Sequence, residues 1–140
     1  MNFQNTERAA LLALEGFGAV SAIAGAIGLL GGGVKYPDEW LAGSPFSSYT
    51  GPALILGIIV GGSQLAALAG VLRHKSWAAT ASLLAGLVMM GWIGGEVLLV
   101  GSKSGLMAAL QIVYALNGLL EVAVVGMRYR ADQPAAQGPI

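Results

Sequence analysis

The sequence contains no cysteine, which excludes disulfides, thiolate nucleophiles, iron–sulfur clusters and cysteine zinc sites, and leaves the redox compartment unread. Charge is almost as scarce. Only 10% of the 140 residues are charged, against about a quarter in soluble domains. The seven basic and seven acidic residues cancel, so the chain has no basic surface of the kind nucleic acid requires. Its one histidine, His74, lies between Arg73 and Lys75 in a short polar stretch. It reads as a solvated loop residue rather than a ligand for haem or pigment, and no cluster of further metal ligands accompanies it. No Glu-x-x-His pair offers the di-iron pattern. Gly31-Gly32-Gly33 lacks the Lys-Ser/Thr of a phosphate loop and reads as a helix end. No catalytic residue and no cofactor is indicated.

Apolar residues make up 56% of the chain, and mean hydropathy is +0.73. They come in blocks longer than the roughly 11 to 12 residues of an average globular helix, and a bilayer core needs about 20. Four spans are predicted, near 9–31, 53–72, 77–100 and 106–127, forming an all-α, antiparallel four-transmembrane-helix bundle within a single domain, 1–130. Gly51-Pro52, Arg73-His74-Lys75-Ser76 and Gly101-Ser102-Lys103-Ser104-Gly105 punctuate the blocks. The first block also has features of a secretory leader, with Arg8 before it and Ala24-Gly25-Ala26 as a small-residue cleavage pattern. Its length, Glu15 inside it and the three further spans favour a retained helix.

Basic residues next to spans stay on the cytoplasmic side. With both termini inside, Arg8, Arg73, Lys75, Arg128 and Arg130 are cytoplasmic, and only Lys35 and Lys103 lie outside. Trp77 and Tyr129 then fall at the inner interface, and Tyr36, Trp40, Phe46 and Tyr49 at the outer one, where amphipathic rings anchor to headgroups. The outer loop, 34–52, is the one long connection. Pro37-Asp38-Glu39 and Ser44-Pro45-Phe46 each predict a short helical turn with proline at its start. The polar tail, 131–140, has no apolar period and is expected to be disordered on its own.

Helices in lipid associate through close packing at small residues. Gly57 with Gly61, Gly91 with Gly95, Ala22 with Ala26 and Ala66 with Gly70 supply that spacing among 22 glycines in all. The spacing favours packing within the chain and leaves docking on another protein open.

An ionised group in mid-membrane costs about 2.5 to 3.5 kcal/mol on insertion scales, so the polar residues inside the spans are the candidate site. On the fourth span Gln111, Tyr114, Asn117 and Glu121 form a stripe with Gly118, which faces protein rather than lipid. Glu15, Gln64 and Glu96 come from the other three spans, and Ser82, Ala85, Met89, Trp92 and Glu96 share one face of the third. Desolvated carboxyls of this kind exchange protons or hold a cationic ligand. The competing reading has Glu15 and Glu96, near span ends, reaching water or headgroups, or joining helices by hydrogen bonds. No span contains a basic residue to pair with them, and a continuous proton path through the middle has only Ser63, Gln64 and Asn117 to use.

Ser44-Pro45-Phe46, Gly51-Pro52-Ala53-Leu54-Ile55-Leu56, Gly61-Gly62, Gly91-Trp92-Ile93 with Glu96, and Gln111 resemble a pattern in small four-helix bacterial membrane proteins, broadly similar to the DoxX-like group. The resemblance implies a four-helix bundle in a bacterial membrane and no particular activity. Taken together, the chain reads as a non-enzymatic protein of the bacterial plasma membrane, an accessory or structural subunit packing with other membrane proteins or with itself. Two alternatives stand beside it: a small transporter or proton-coupled channel using the intramembrane carboxylates, and a lipid, quinone or pigment binding module.

Overall fold

A computed structural model describes residues 3–31, 33 and 36–133. Gly32, Val34, Lys35 and residues 134–140 of the tail lie outside the described residues. Four helices are long and apolar enough to cross a membrane: α1 (Asn5–Gly31), α2 (Thr50–Leu72), α3 (Ala78–Leu99) and α4 (Gly105–Asp132). The chain is a multi-pass, all-helical bundle, and among the described residues there is no strand.

Local chemistry sets the helix ends. Glu7 reaches back so that its Oε2 accepts the backbone N–H of Gln4 at 2.9 Å, the return half of a capping box. Pro52 falls in the first turn of α2, where a backbone N–H has no helical partner to lose, so α2 starts at Thr50, ahead of the proline. Ser104 caps α4 by accepting the N–H of Met107 at 3.1 Å. At its other end α4 runs past the expected boundary at 127 to Asp132, where Arg128 pairs with Asp132 at 3.0 Å one turn on. Residues 131–132, expected in a disordered tail, are therefore helical.

Between α2 and α3 the amide of Lys75 bonds the carbonyl of Gly70 and that of His74 bonds Val71, the paired pattern of a Schellman cap. His74 occupies its left-handed position with φ of 51° and is exposed. In the outer loop Asp38–Leu41 forms a 3-10 turn behind Pro37. Ser44-Pro45-Phe46 does not become helical, contrary to the proline signal. The Ser44 hydroxyl donates to Leu41 O at 2.7 Å while its oxygen accepts the Phe46 amide at 3.3 Å, which fixes a bend there instead.

The backbones pack around a square, α1 on α2 and α4, and α3 on α2 and α4. At the termini end, Leu11, Val71, Ala78, Ala79 and Val125 form a dry cluster. Arg8 closes that end by donating to the carbonyls of Val71 and Leu72 at 3.3 and 3.1 Å. Outward faces carry Val20, Ile27, Ile58, Leu98 and Leu106, each more than half exposed, as lipid contact requires.

Glycine decides how near the backbones come. A methyl group on Gly86 would stand 2.7 Å from Gly118 O, and one on Gly118 2.8 Å from Gly86 O. Gly57 and Gly61 likewise lie against Ala26 and Ile23 of α1, at 2.8 and 2.9 Å from an added Cβ, so this GxxxG pair packs within the chain. Gly91, Gly94 and Gly95 have nothing within 4 Å of such an atom. Gly118→Leu is therefore expected to destabilise the bundle by about 1 to 3 kcal/mol through overpacking, while Gly94→Leu, facing open space, leaves it within about 0.5 kcal/mol of the parent. Unfolding by denaturing detergent in mixed micelles measures both.

Candidate functional site

The polar residues of the spans gather at two levels. At the centre, Glu15 of α1, Gln64 of α2, Ser82 of α3 and Glu121 of α4 are each fully buried, and Asn117 nearly so. Ser82 Oγ donates to Glu15 Oε1. Gln64 Nε2 donates to Glu121 Oε2 at 3.1 Å and to Ala85 O at 3.2 Å. Asn117 Nδ2 donates to Glu121 Oε1 at 2.8 Å and to the Met89 sulfur at 3.3 Å. These bonds join α1 to α3 and α2 to α4, the two diagonals across which the backbones do not pack. Gly18 makes room for the crossing, since a Cβ there would meet Gln64 Oε1 at 2.7 Å.

For Glu15 the sequence left open reaching water or headgroups or joining helices by hydrogen bonds. Its carboxyl is fully buried and accepts from Ser82 of α3, the second of these. Glu15 Oε2 and Gln64 Oε1 are buried without any hydrogen-bond partner among the described residues.

The second level lies toward the outer loop. A cavity of about 520 Å³ opens there. Tyr36, Trp40, Phe46 and Tyr49 of the loop line one part of it, and Ile55, Leu56, Ile59 and Val60 of α2 another. Trp92 and Glu96 of α3, with Gln111 and Tyr114 of α4, complete the polar side. Rings expected at the headgroup level thus also turn toward the bundle: Tyr36 stacks on Trp40 with centroids 5.2 Å apart, and Tyr49 donates its hydroxyl to Pro37 O at 2.8 Å. Glu96 Oε1 accepts from Gln111 Nε2 at 3.1 Å, and the same nitrogen donates to Gly101 O at 3.2 Å. Ser102 Oγ donates to Gln111 Oε1, so the amide is held from both sides. Among the described residues, Glu96 is the only charged one lining the cavity.

The stripe on α4 is accordingly divided. Asn117 and Glu121 belong to the centre, Gln111 and Tyr114 to the cavity wall, and Gln111 with Asn117 and Glu121 is buried in protein. Sequence reasoning did not find the π-helical stretch Ile55–Val60 within α2. Such turns widen a helix by one residue and recur at functional sites. This one forms the α2 wall of the cavity, where Gly61 N–H bonds Leu56 O, five residues back. Its residues are uniformly apolar, so no polar or proline signal marks it.

No protein family, curated protein or solved structure matches the chain. The geometry of the two levels alone carries the functional argument.

Ser82→Ala strips the Glu15 carboxyl of its donor, and the expected loss is about 0.6 to 2 kcal/mol, the range found for hydrogen bonds between membrane helices. Detergent unfolding of that variant beside Ser63→Ala, whose hydroxyl bonds Val60 O within its own helix, checks the difference.

Proposed function

We propose that the chain is a non-enzymatic binding module for an amphipathic small molecule of the lipid or quinone class. The observation that carries this reading is the cavity of about 520 Å³ walled by aromatic and aliphatic side chains, with one carboxyl, Glu96, on its side. Ligand sites of about 300 to 1,000 Å³ are mostly apolar, with a few placed polar groups that orient the ligand. Here the apolar body of a ligand lies against Trp40, Phe46, Leu56 and Trp92, and an ammonium head or a hydroxyl, a lipid's or that of the reduced quinol, donates to the Glu96 carboxyl. Gln111, fixed by Ser102 and Gly101, holds that carboxyl in place.

A second reading, an accessory subunit that docks on another membrane protein, is favoured by the exposed glycine face of α3. Gly94 has no neighbouring atom within 4 Å of its Cβ position, and helices in lipid use such faces for close approach. Native mass measurement of the untagged chain extracted from its own membrane separates the two. The binding module yields one chain with a small-molecule adduct. Gly91→Trp, placed on the cavity wall where space is open, is expected to lower adduct occupancy at least tenfold with the helical content unchanged. An adduct-free parent chain excludes the binding module, and a complex with another polypeptide establishes the subunit.

The bundle is assigned to a bacterial plasma membrane with both termini cytoplasmic. Arg8 and Arg128 lie together at the termini end, beside the turn holding Arg73 and Lys75, and that end is the one a membrane retains inside. The cavity then faces the outer leaflet. Fusing a periplasm-active phosphatase and a cytoplasm-active fluorescent reporter to each terminus tests this. Fluorescence without phosphatase activity is expected at both ends.

A further inference from the structure

We infer that the centre of the bundle is a proton-binding site, separate from the cavity, in which Glu15 Oε2 carries the proton and Glu121 is the paired carboxylate. The inference rests on a count of donors and acceptors. Every side-chain N–H or O–H donor of the cluster is already engaged: Ser82 on Glu15 Oε1, both hydrogens of the Gln64 amide on Ala85 O and Glu121 Oε2, and the Asn117 amide on Glu121 Oε1 and Met89. Two acceptors, Glu15 Oε2 and Gln64 Oε1, are buried with no donor at all. Rotating the Gln64 amide does not remove the need for a proton, because its oxygen would then face Ala85 O and the Glu121 carboxyl with no hydrogen between them. Buried acceptors left in this way are costly, and one hydrogen on Glu15 Oε2 supplies the missing donor. The other orphan acceptor, Gln64 Oε1, lies against α1 at Gly18, one turn from Glu15.

Among the described residues, α1 offers the cluster Glu15, α2 Gln64, α3 Ser82 with Met89, and α4 Asn117 with Glu121, so the two carboxyls are its only titratable groups there. At the termini end Arg8 donates to the Val71 and Leu72 carbonyls and Arg128 pairs with Glu7 and Asp132, with its Nε buried and unpartnered among the described residues. Two ionised carboxylates here would place a double negative charge in a low dielectric. A dehydrated metal cation does not fit, since hard cations take about six or more oxygens and two are unengaged. The hydrogen bonds also divide the pair. Glu121 accepts N–H bonds on both oxygens, as a carboxylate does, whereas Glu15 accepts on one and leaves the other for a proton.

Infrared spectroscopy of the full chain in phosphatidylcholine vesicles near neutral pH tests the assignment through the C=O stretch of a protonated carboxyl. The parent is expected to show that band, shifted on transfer to heavy water, and Glu15→Gln to lose it. Glu96→Gln is expected to retain it, because Glu96 stands at the cavity. Ser82→Ala keeps both carboxyls and removes only the hydroxyl on Glu15, so it is expected to move the band's frequency and gives an independent readout should Glu15→Gln fail to assemble. Absence of the band from the parent, its survival in Glu15→Gln, its loss in Glu96→Gln or an unmoved frequency in Ser82→Ala each overturns the proposal.

Discussion

Two hydrogen bonds that cross inside the bundle hold the arrangement of its helices. Lipid is as apolar as the helix surfaces, so burial of Leu and Ile does not draw helices together in a membrane. What distinguishes one packing from another is which polar groups find partners, since an unpartnered one has no water to fall back on. Glu15 to Ser82 spans one diagonal of the square and Gln64 to Glu121 the other. A helix rotated by one residue would turn its polar side chain away from the axis, and both diagonals would lose register. Gly18 and the reciprocal contact of Gly86 with Gly118 bring the backbones near enough for these short side chains to meet.

The same crossing divides the bundle into unlike halves. Toward the termini, small and branched residues pack together, with Ala78, Ala79, Leu11, Val71 and Val125 in one cluster. Toward the outer loop the helices leave room. The π-helical stretch in α2 alters the face it presents over Ile55–Val60, Gly91 and Gly95 on α3 supply no side chain, and loop rings fold in where a fifth helix would otherwise be needed. The cavity lies at the end where the packing is left open.

Much of this was legible in the residues. The four spans follow from apolar block length, and the inward face of α4 from the three-and-four spacing of Gln111, Tyr114, Gly118 and Glu121. Hydrogen-bond pairing was not legible, because depth alone places Glu15 and Glu121 at one level without saying which faces a hydroxyl and which an amide. For Glu15, proximity to a span end left contact with water and helix-joining hydrogen bonds both open, and orientation toward Ser82 decides for the second. The Ser44-Pro45-Phe46 bend was missed for a related reason, since a serine hydroxyl can satisfy the amides that a helical turn would have satisfied. The π-helical stretch has no compositional mark at all. Of the GxxxG pairs, spacing alone cannot tell Gly57 and Gly61, which meet α1, from Gly91 and Gly95, which meet nothing.

Three glutamates in one small bundle would be redundant if they shared an environment, but they do not. Glu15 and Glu121 are fully buried at the centre, the first held by the Ser82 hydroxyl and the second by the Gln64 and Asn117 amides, while Glu96 stands at the wall of an open cavity, its Oε1 engaged by Gln111. Met89 forms the partition. Its sulfur accepts the hydrogen bond of Asn117, the residue that donates to Glu121, and its side chain belongs to the cluster of Leu56, Val60, Trp92 and Tyr114 that lines the cavity. Methionine is the most adaptable of the core side chains, and Met89 is the one that touches both levels, its sulfur on Asn117 and its body among residues of the cavity wall.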